Sequence, residues 1–164
     1  MKFFILIGLL IPFTTFAQTD NKIEGIIINT PCELEYTRNI GNQNNYSCAT
    51  QDKNEKIFQY SVTVQNLFEE MKGLSGDSLK AFKEQFFKTA KENAKLNNEQ
   101  SELIVLANGQ KALKIKSYLT YSEHKFVNTS ILLLYKQKSF VINLTTNDLS
   151  TYASSKLSDR IKIK

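Results

Sequence analysis

The chain has 164 residues, is 41% hydrophobic and 23% charged, and carries 21 Lys+Arg against 16 Asp+Glu. That is the size of one ordinary domain, and the modest, scattered basic excess excludes the dense cationic surface of a nucleic-acid binder. One His, two Cys and no Trp are too few ligands for a tetrahedral zinc site and leave no indole platform for a sugar.

The first seventeen residues are a separate unit. Lys2 is followed by an apolar run from Phe3 to Phe16, broken only by Gly8, Pro12, Thr14 and Thr15, and then by Ala17 and the polar Gln18-Thr19-Asp20-Asn21. A charge, an apolar stretch and a small residue before a polar switch form the pattern of a secretory signal peptide cleaved after Ala17. The run is shorter than the roughly 20 apolar residues that span a bilayer, and no other segment reaches that length, so no membrane span is expected. The expected organisation is residues 1–17 as signal peptide and 18–164 as a single α+β domain, periplasmic or secreted. In an oxidising compartment Cys32 and Cys48 are expected to form a structural disulfide.

Residues 22–66 read as strands. Cys32-Glu33-Leu34-Glu35-Tyr36 alternates apolar and charged, and Asn39-Ile40-Gly41-Asn42-Gln43-Asn44-Asn45 has the composition of a turn. Pairing Cys32 with Cys48 centres this hairpin on Ile40 and sets Leu34 near Tyr46. After a second turn at Gln51–Glu55, Phe58, Tyr60, Val62 and Val64 alternate with Gln59, Ser61, Thr63 and Gln65, an amphipathic strand. Gly73-Leu74-Ser75-Gly76 breaks the chain, and Asp77-Ser78 offers N-cap oxygens. Leu79, Phe82, Phe86, Ala90 and Ala94, broadened by Phe87, follow at helical spacing to about Leu96, as a core-facing stripe.

Four strands follow as a meander. Leu103–Leu106 leads to Asn108-Gly109, a hairpin signal. Leu113, Ile115 and Leu119 alternate with Lys114, Lys116 and Thr120 before a turn at Ser122–Lys125. Phe126–Tyr135 returns, Lys136-Gln137-Lys138 turns, and Phe140–Thr145 closes. Ile131–Leu134 is apolar on both faces, which marks a strand covered on both sides. A single helix covers one face, so the tail from Asn147 to Ile161, with Leu149, Tyr152, Ala153 and Leu157 on one helical face, is expected to form a C-terminal helix covering the other. The fold class is α+β: an α/β/α sandwich with an antiparallel sheet, one long central helix and a C-terminal helix.

This order resembles the Mog1/PsbP-like fold. The segments that carry the resemblance are the strand from Phe58 to Val64, the opening of the meander at Gly109-Gln-Lys-Ala-Leu-Lys-Ile, and the closing Leu157-Ser-Asp-Arg-Ile. The resemblance is architectural, without a signature motif, and implies a non-catalytic accessory or binding protein. The Bet v 1-like fold also pairs a curved sheet with a long helix, but there the long helix comes last.

Little in the chain points to catalysis. His124 lies in a polar turn beside Glu123 and Lys125, with no nucleophile elbow to accompany it. Glu33 with Glu35, and Glu69 with Glu70, read as solvated surface rather than a glycosidase pair. The six glycines are dispersed, so no phosphate loop forms. Asn128-Thr-Ser and Asn143-Leu-Thr match the glycosylation tripeptide, which counts only in a eukaryotic secretory pathway, whereas the brief leader reads as bacterial. Lys114 and Lys116 share a strand face, near Lys111 and the turn lysines Lys125, Lys136 and Lys138. They are weak candidates for an anionic surface, weighed against a solvated face that protects an edge. The expectation is an exported non-catalytic binding or accessory protein, such as an envelope partner-binding, immunity or inhibitor protein. It needs no cofactor or metal and takes a protein partner or a small hydrophobic ligand. The alternative is a secreted hydrolase.

Overall fold

The computed structural model describes residues 18–150 and 156–163; the expected signal peptide lies outside the described residues. Strands β1 (Thr19–Ile23) and β2 (Ile26–Thr30) form a hairpin. Its turn places Glu24 and Gly25 at φ of 46° and 100°, and a Cβ on Gly25 would meet the Tyr135 ring at 3.2 Å. Glycine serves both the left-handed backbone and the close approach. Ile23, Ile26 and Ile28 point into the core, and buried Asn21 ties down the exit from the hairpin. Its Nδ2 donates to Thr30 Oγ1 at 2.8 Å, and its Oδ1 accepts the Leu34 N–H at 2.7 Å.

The main sheet is built from β3 (Glu35–Ile40), β4 (Gln43–Gln51), β5 (Ile57–Asn66), β6 (Gln100–Val105), β7 (Lys111–Tyr121), β8 (His124–Tyr135) and β9 (Lys138–Thr146). Its order is β3-β4-β5-β9-β8-β7-β6, antiparallel throughout. After β5 the chain passes through the single turn α1 (Phe68–Met71) and the long helix α2 (Gly76–Leu96) to the far edge, and the meander β6–β9 returns to pair with β5. No helix among the described residues is long and apolar enough to cross a membrane.

Period-two alternation sorts the side chains onto two faces. Tyr60, Val62, Val64, Ile131, Leu133, Phe140, Ile142 and Leu144 are buried on one face, packed with the isoleucines of the small sheet, Leu157 and Ile161. On the opposite face Leu134 joins Leu67 and Met71, with Leu79, Phe82, Phe86 and Phe87 of α2 partly buried against them. Ile131–Leu134 is buried on both faces, as its composition implied.

Three expectations need correction. The first is the C-terminal helix. Residues 151–155 lie outside the described residues, but 147–150 are irregular. There the Thr146 and Asp148 side chains accept the N–H groups of Asp148 and Ser150. Further on, Ser158–Arg160 is a 3-10 turn, and Ile161–Ile163 is strand β10, which pairs with β2 as Ile161↔Ile28. Leu157 and Ile161 are buried as expected, but the second cover is the small sheet β1-β2-β10, since Ile-Lys-Ile has the β-branched alternation of a strand. Among the described residues the layers are therefore helix, sheet and small sheet.

The second correction is the hairpin register. Tyr36, not Leu34, faces Tyr46, and Ile40 faces Gln43 across a two-residue turn, with a bulge between Tyr36 and Arg38. The Cys32–Cys48 disulfide is present, with Cα atoms 6.0 Å apart. It joins the segment before β3 to β4 rather than bridging two opposed strand residues. The third is the helix start: Ser75, not Asp77 or Ser78, is the N-cap, and its N–H donates to Ser78 Oγ at 3.0 Å.

Candidate binding surface

Hydrogen-bond register decides where the sheet is open. Strand β6 pairs with β7 only as far as Gln100↔Lys116, and β9 pairs with β8 only from Thr146↔Val127. Beyond those points β7 and β8 continue alone, through Leu119↔Phe126 to Tyr121↔His124. The two strands project as a ribbon whose β7 edge, Ser117–Tyr121, is paired with no further strand among the described residues. Tyr118, Leu119 and Tyr121 on it are 64%, 49% and 76% exposed. The tip turns through Ser122 and Glu123 at φ of 45° and 70°. A two-residue hairpin of type I′ requires this left-handed pair, which Asn and Gly adopt more readily than Ser and Glu.

The two lysines singled out in the sequence stand at the root of this ribbon, on the face that the small sheet covers further along. Lys114 Nζ lies 3.1 Å from Glu102 Oε1 on the neighbouring strand, so its charge is offset. Lys116 Nζ sits 5.3 Å from the centroid of the Tyr118 ring, and no carboxylate among the described residues lies within ion-pair distance of it. Lys116 is directly opposite Thr129, whose Oγ1 is buried without a hydrogen-bond partner. The two lysines thus differ: one belongs to a cross-strand pair, the other is stacked on an exposed aromatic ring. His124 is exposed at the ribbon tip opposite Tyr121. Cys32 and Cys48 lie across the sheet, toward the other edge, and pack against the main core.

A second feature was not foreseen. On the helix-bearing face, Thr145 Oγ1 donates to Asn128 Oδ1, Asn128 Nδ2 to Ser130 Oγ, Ser130 Oγ to Asn143 Oδ1, and Asn143 Nδ2 to Ser61 Oγ, at 3.0, 3.2, 2.6 and 3.1 Å. Thr63 Oγ1 continues the pattern to Asn45 Oδ1 at 2.8 Å. Both glycosylation-type asparagines are therefore half-buried strand residues whose amides are engaged in this polar ladder. The alternation in each strand showed which residues point away from the core. It did not show that they would satisfy one another across four strands.

No family model matches the chain, and no curated protein matches it. Solved structures do. One from Bacteroides thetaiotaomicron is 8% identical with a TM-score of 0.49; it covers 85% of this chain, which spans only 45% of that protein's length. A Pseudomonas aeruginosa protein of unknown function is 10% identical with a TM-score of 0.47, covering 84% of this chain and 88% of its own. The cyanobacterial PsbP of Synechocystis sp. PCC 6803 is 11% identical with a TM-score of 0.44, covering 90% of this chain and 91% of its own. A PsbP structure is thus among those similar to this chain, in line with the resemblance read from the order of elements.

Proposed function

We propose that this chain is an exported, non-catalytic binding protein, periplasmic or secreted, which engages a protein partner through the β7–β8 ribbon. The leader-type N-terminus and the disulfide support export. The observation that carries the binding reading is the edge Ser117–Tyr121, unpaired among the described residues and carrying three exposed large side chains. Such an edge offers a row of unpaired backbone donors and acceptors that an extended segment can extend as a new strand, with side chains on both faces supplying selectivity. Lys116 at the root adds a positive charge that favours an acidic residue on the partner.

The test is capture from cell-envelope extracts with the exported protein and with a Leu119→Asp, Tyr121→Asp variant. One stoichiometric protein retained by the first and lost by the second, with circular dichroism unchanged, is the expected result. Equal capture by both forms removes the ribbon from the reading. Turnover in a broad hydrolase screen, abolished by His124→Ala in a protein that still folds, would replace it with the hydrolase.

A further inference from the structure

A small pocket of about 220 Å³ opens between the two sheets and is lined by Gln18, Pro31, Thr50, Asp52, Phe58, Tyr60 and Arg160. Its charged residues are unusual in what they do not do. Arg160 Nη1 donates to the Tyr60 hydroxyl at 3.1 Å, and the guanidinium sits 5.8 Å from that ring's centroid. Among the described residues no carboxylate lies within ion-pair distance of Arg160. Burial raises the pKa of Tyr60, against the pull of Arg160, so the phenol stays neutral and leaves the guanidinium charge uncompensated. Asp52 lines the same pocket. Its Oδ1 accepts the N–H groups of Asn54 and Lys56 at 2.8 and 2.9 Å, which fixes the carboxylate in its turn.

A cation and an anion thus line one small pocket without pairing with each other, while Phe58 and Pro31 supply apolar wall. Both walls are tied covalently: Cys32 adjoins Pro31, and Cys48 precedes Thr50 by two residues on β4. Preorganised opposite charges that do not neutralise each other are complementary to a ligand carrying both. We propose that the pocket binds a small zwitterion, a free α-amino acid. Its carboxylate meets Arg160, its ammonium meets Asp52, and its side chain rests on Phe58 and Pro31. The volume lies below the range of drug-sized sites and suits a ligand of this size.

The experiment is a thermal-shift screen of the exported protein against the standard amino acids, followed by calorimetric titration of L-leucine, N-acetyl-L-leucine and L-leucinamide. The N-terminus is first defined by mass spectrometry, because Gln18 borders the pocket. An amino acid that binds, with each blocked analogue weaker by about tenfold or more, is the expected result. Arg160→Gln should weaken binding to a similar degree. So should Asp52→Asn, which keeps the turn's side-chain acceptor and removes only the charge. N-acetyl-leucine binding as well as leucine would overturn the assignment, whether the site takes a simple anion or an uncyclised Gln18 ammonium already satisfies Asp52. Absence of binding by every amino acid in the screen would overturn it outright.

Discussion

The two faces of the seven-stranded sheet are closed by different means. One is dry: its inward side chains from β5, β8 and β9 are almost wholly buried against the isoleucines of the small sheet. The other is shared. Leu132 and Leu134 lie toward α2, whose phenylalanines are only partly buried, and the strands beyond carry the Asn, Ser and Thr ladder. The difference shows how a single sheet divides its work. Apolar burial on one face supplies most of the stabilisation, and the side chains on the other satisfy one another's hydrogen bonds and leave that face open to water.

The largest effect should come from testing this asymmetry directly. Phe140→Ala removes a fully buried ring from the dry face and should cost about 3–5 kcal/mol. Phe86→Ala removes the same ring from the shared face, where it is only partly buried, and should cost roughly half as much. Urea unfolding of both variants measures the gap, and equal losses would erase the distinction between the faces.

Next in size is the disulfide, which tightens the dry face from its side. The Cys32→Ser, Cys48→Ser double variant closes no loop in the unfolded chain and should lose about 3 kcal/mol while keeping its fold. Calorimetry reads the lowered Tm, and non-reducing peptide mapping of the parent checks the bond.

The smallest effect is electrostatic and sits at the rim of the same face. Glu24, in the turn of the small sheet, accepts from Lys138 of β9 and from Asn44 of β4, so one carboxylate clasps the two sheets together. Burial pushes its pKa up, but the hydrogen bonds from Lys138 and Asn44 outweigh this and leave it below the ordinary glutamate value of 4.5. A carboxyl whose folded pKa is depressed contributes stability above the unfolded pKa and loses it as pH falls through the folded one. Glu24→Gln should therefore cost about 1 kcal/mol or less at neutral pH. Its difference from the parent should fade below the ordinary glutamate range, as unfolding curves taken across that range will show.

Local pattern made some of this architecture legible and left the rest hidden. The alternation of Phe58–Val64, the apolar quartet Ile131–Leu134 and the stripe from Leu79 to Ala94 each announce an element within one stretch of chain, and each formed where expected. The small sheet was missed because its strands are short and β10 finds its partner more than a hundred residues away; no periodicity in Ile161-Lys162-Ile163 says where it will pair. The bulge between Tyr36 and Arg38 moved the hairpin register for a similar reason, since turn composition sets where a chain reverses but not where it inserts an extra residue. At the candidate sites, sequence singled out Lys114 and Lys116 as alike, and the fold separates them, pairing Lys114 with Glu102 and stacking Lys116 on Tyr118. Arg160 entered the reading of the sequence only within the closing Leu157-Ser-Asp-Arg-Ile and not as a site residue, because its meaning depends on Tyr60, brought to it by the fold from the middle of the chain.

The small sheet also orders events in time. Its middle strand, β2, is made among the first residues of the domain, yet one of its two neighbours, β10, is made among the last. While the intervening chain is being synthesised, Ile26 and Ile28 have a hairpin partner in β1 but neither their second neighbour nor the sheet face on which they come to rest. The closing contact spans nearly the whole domain, and so carries the loop-closure cost of a long-range pairing. A protein wired this way sets its last strand late, and until then one edge of β2 stays unpaired.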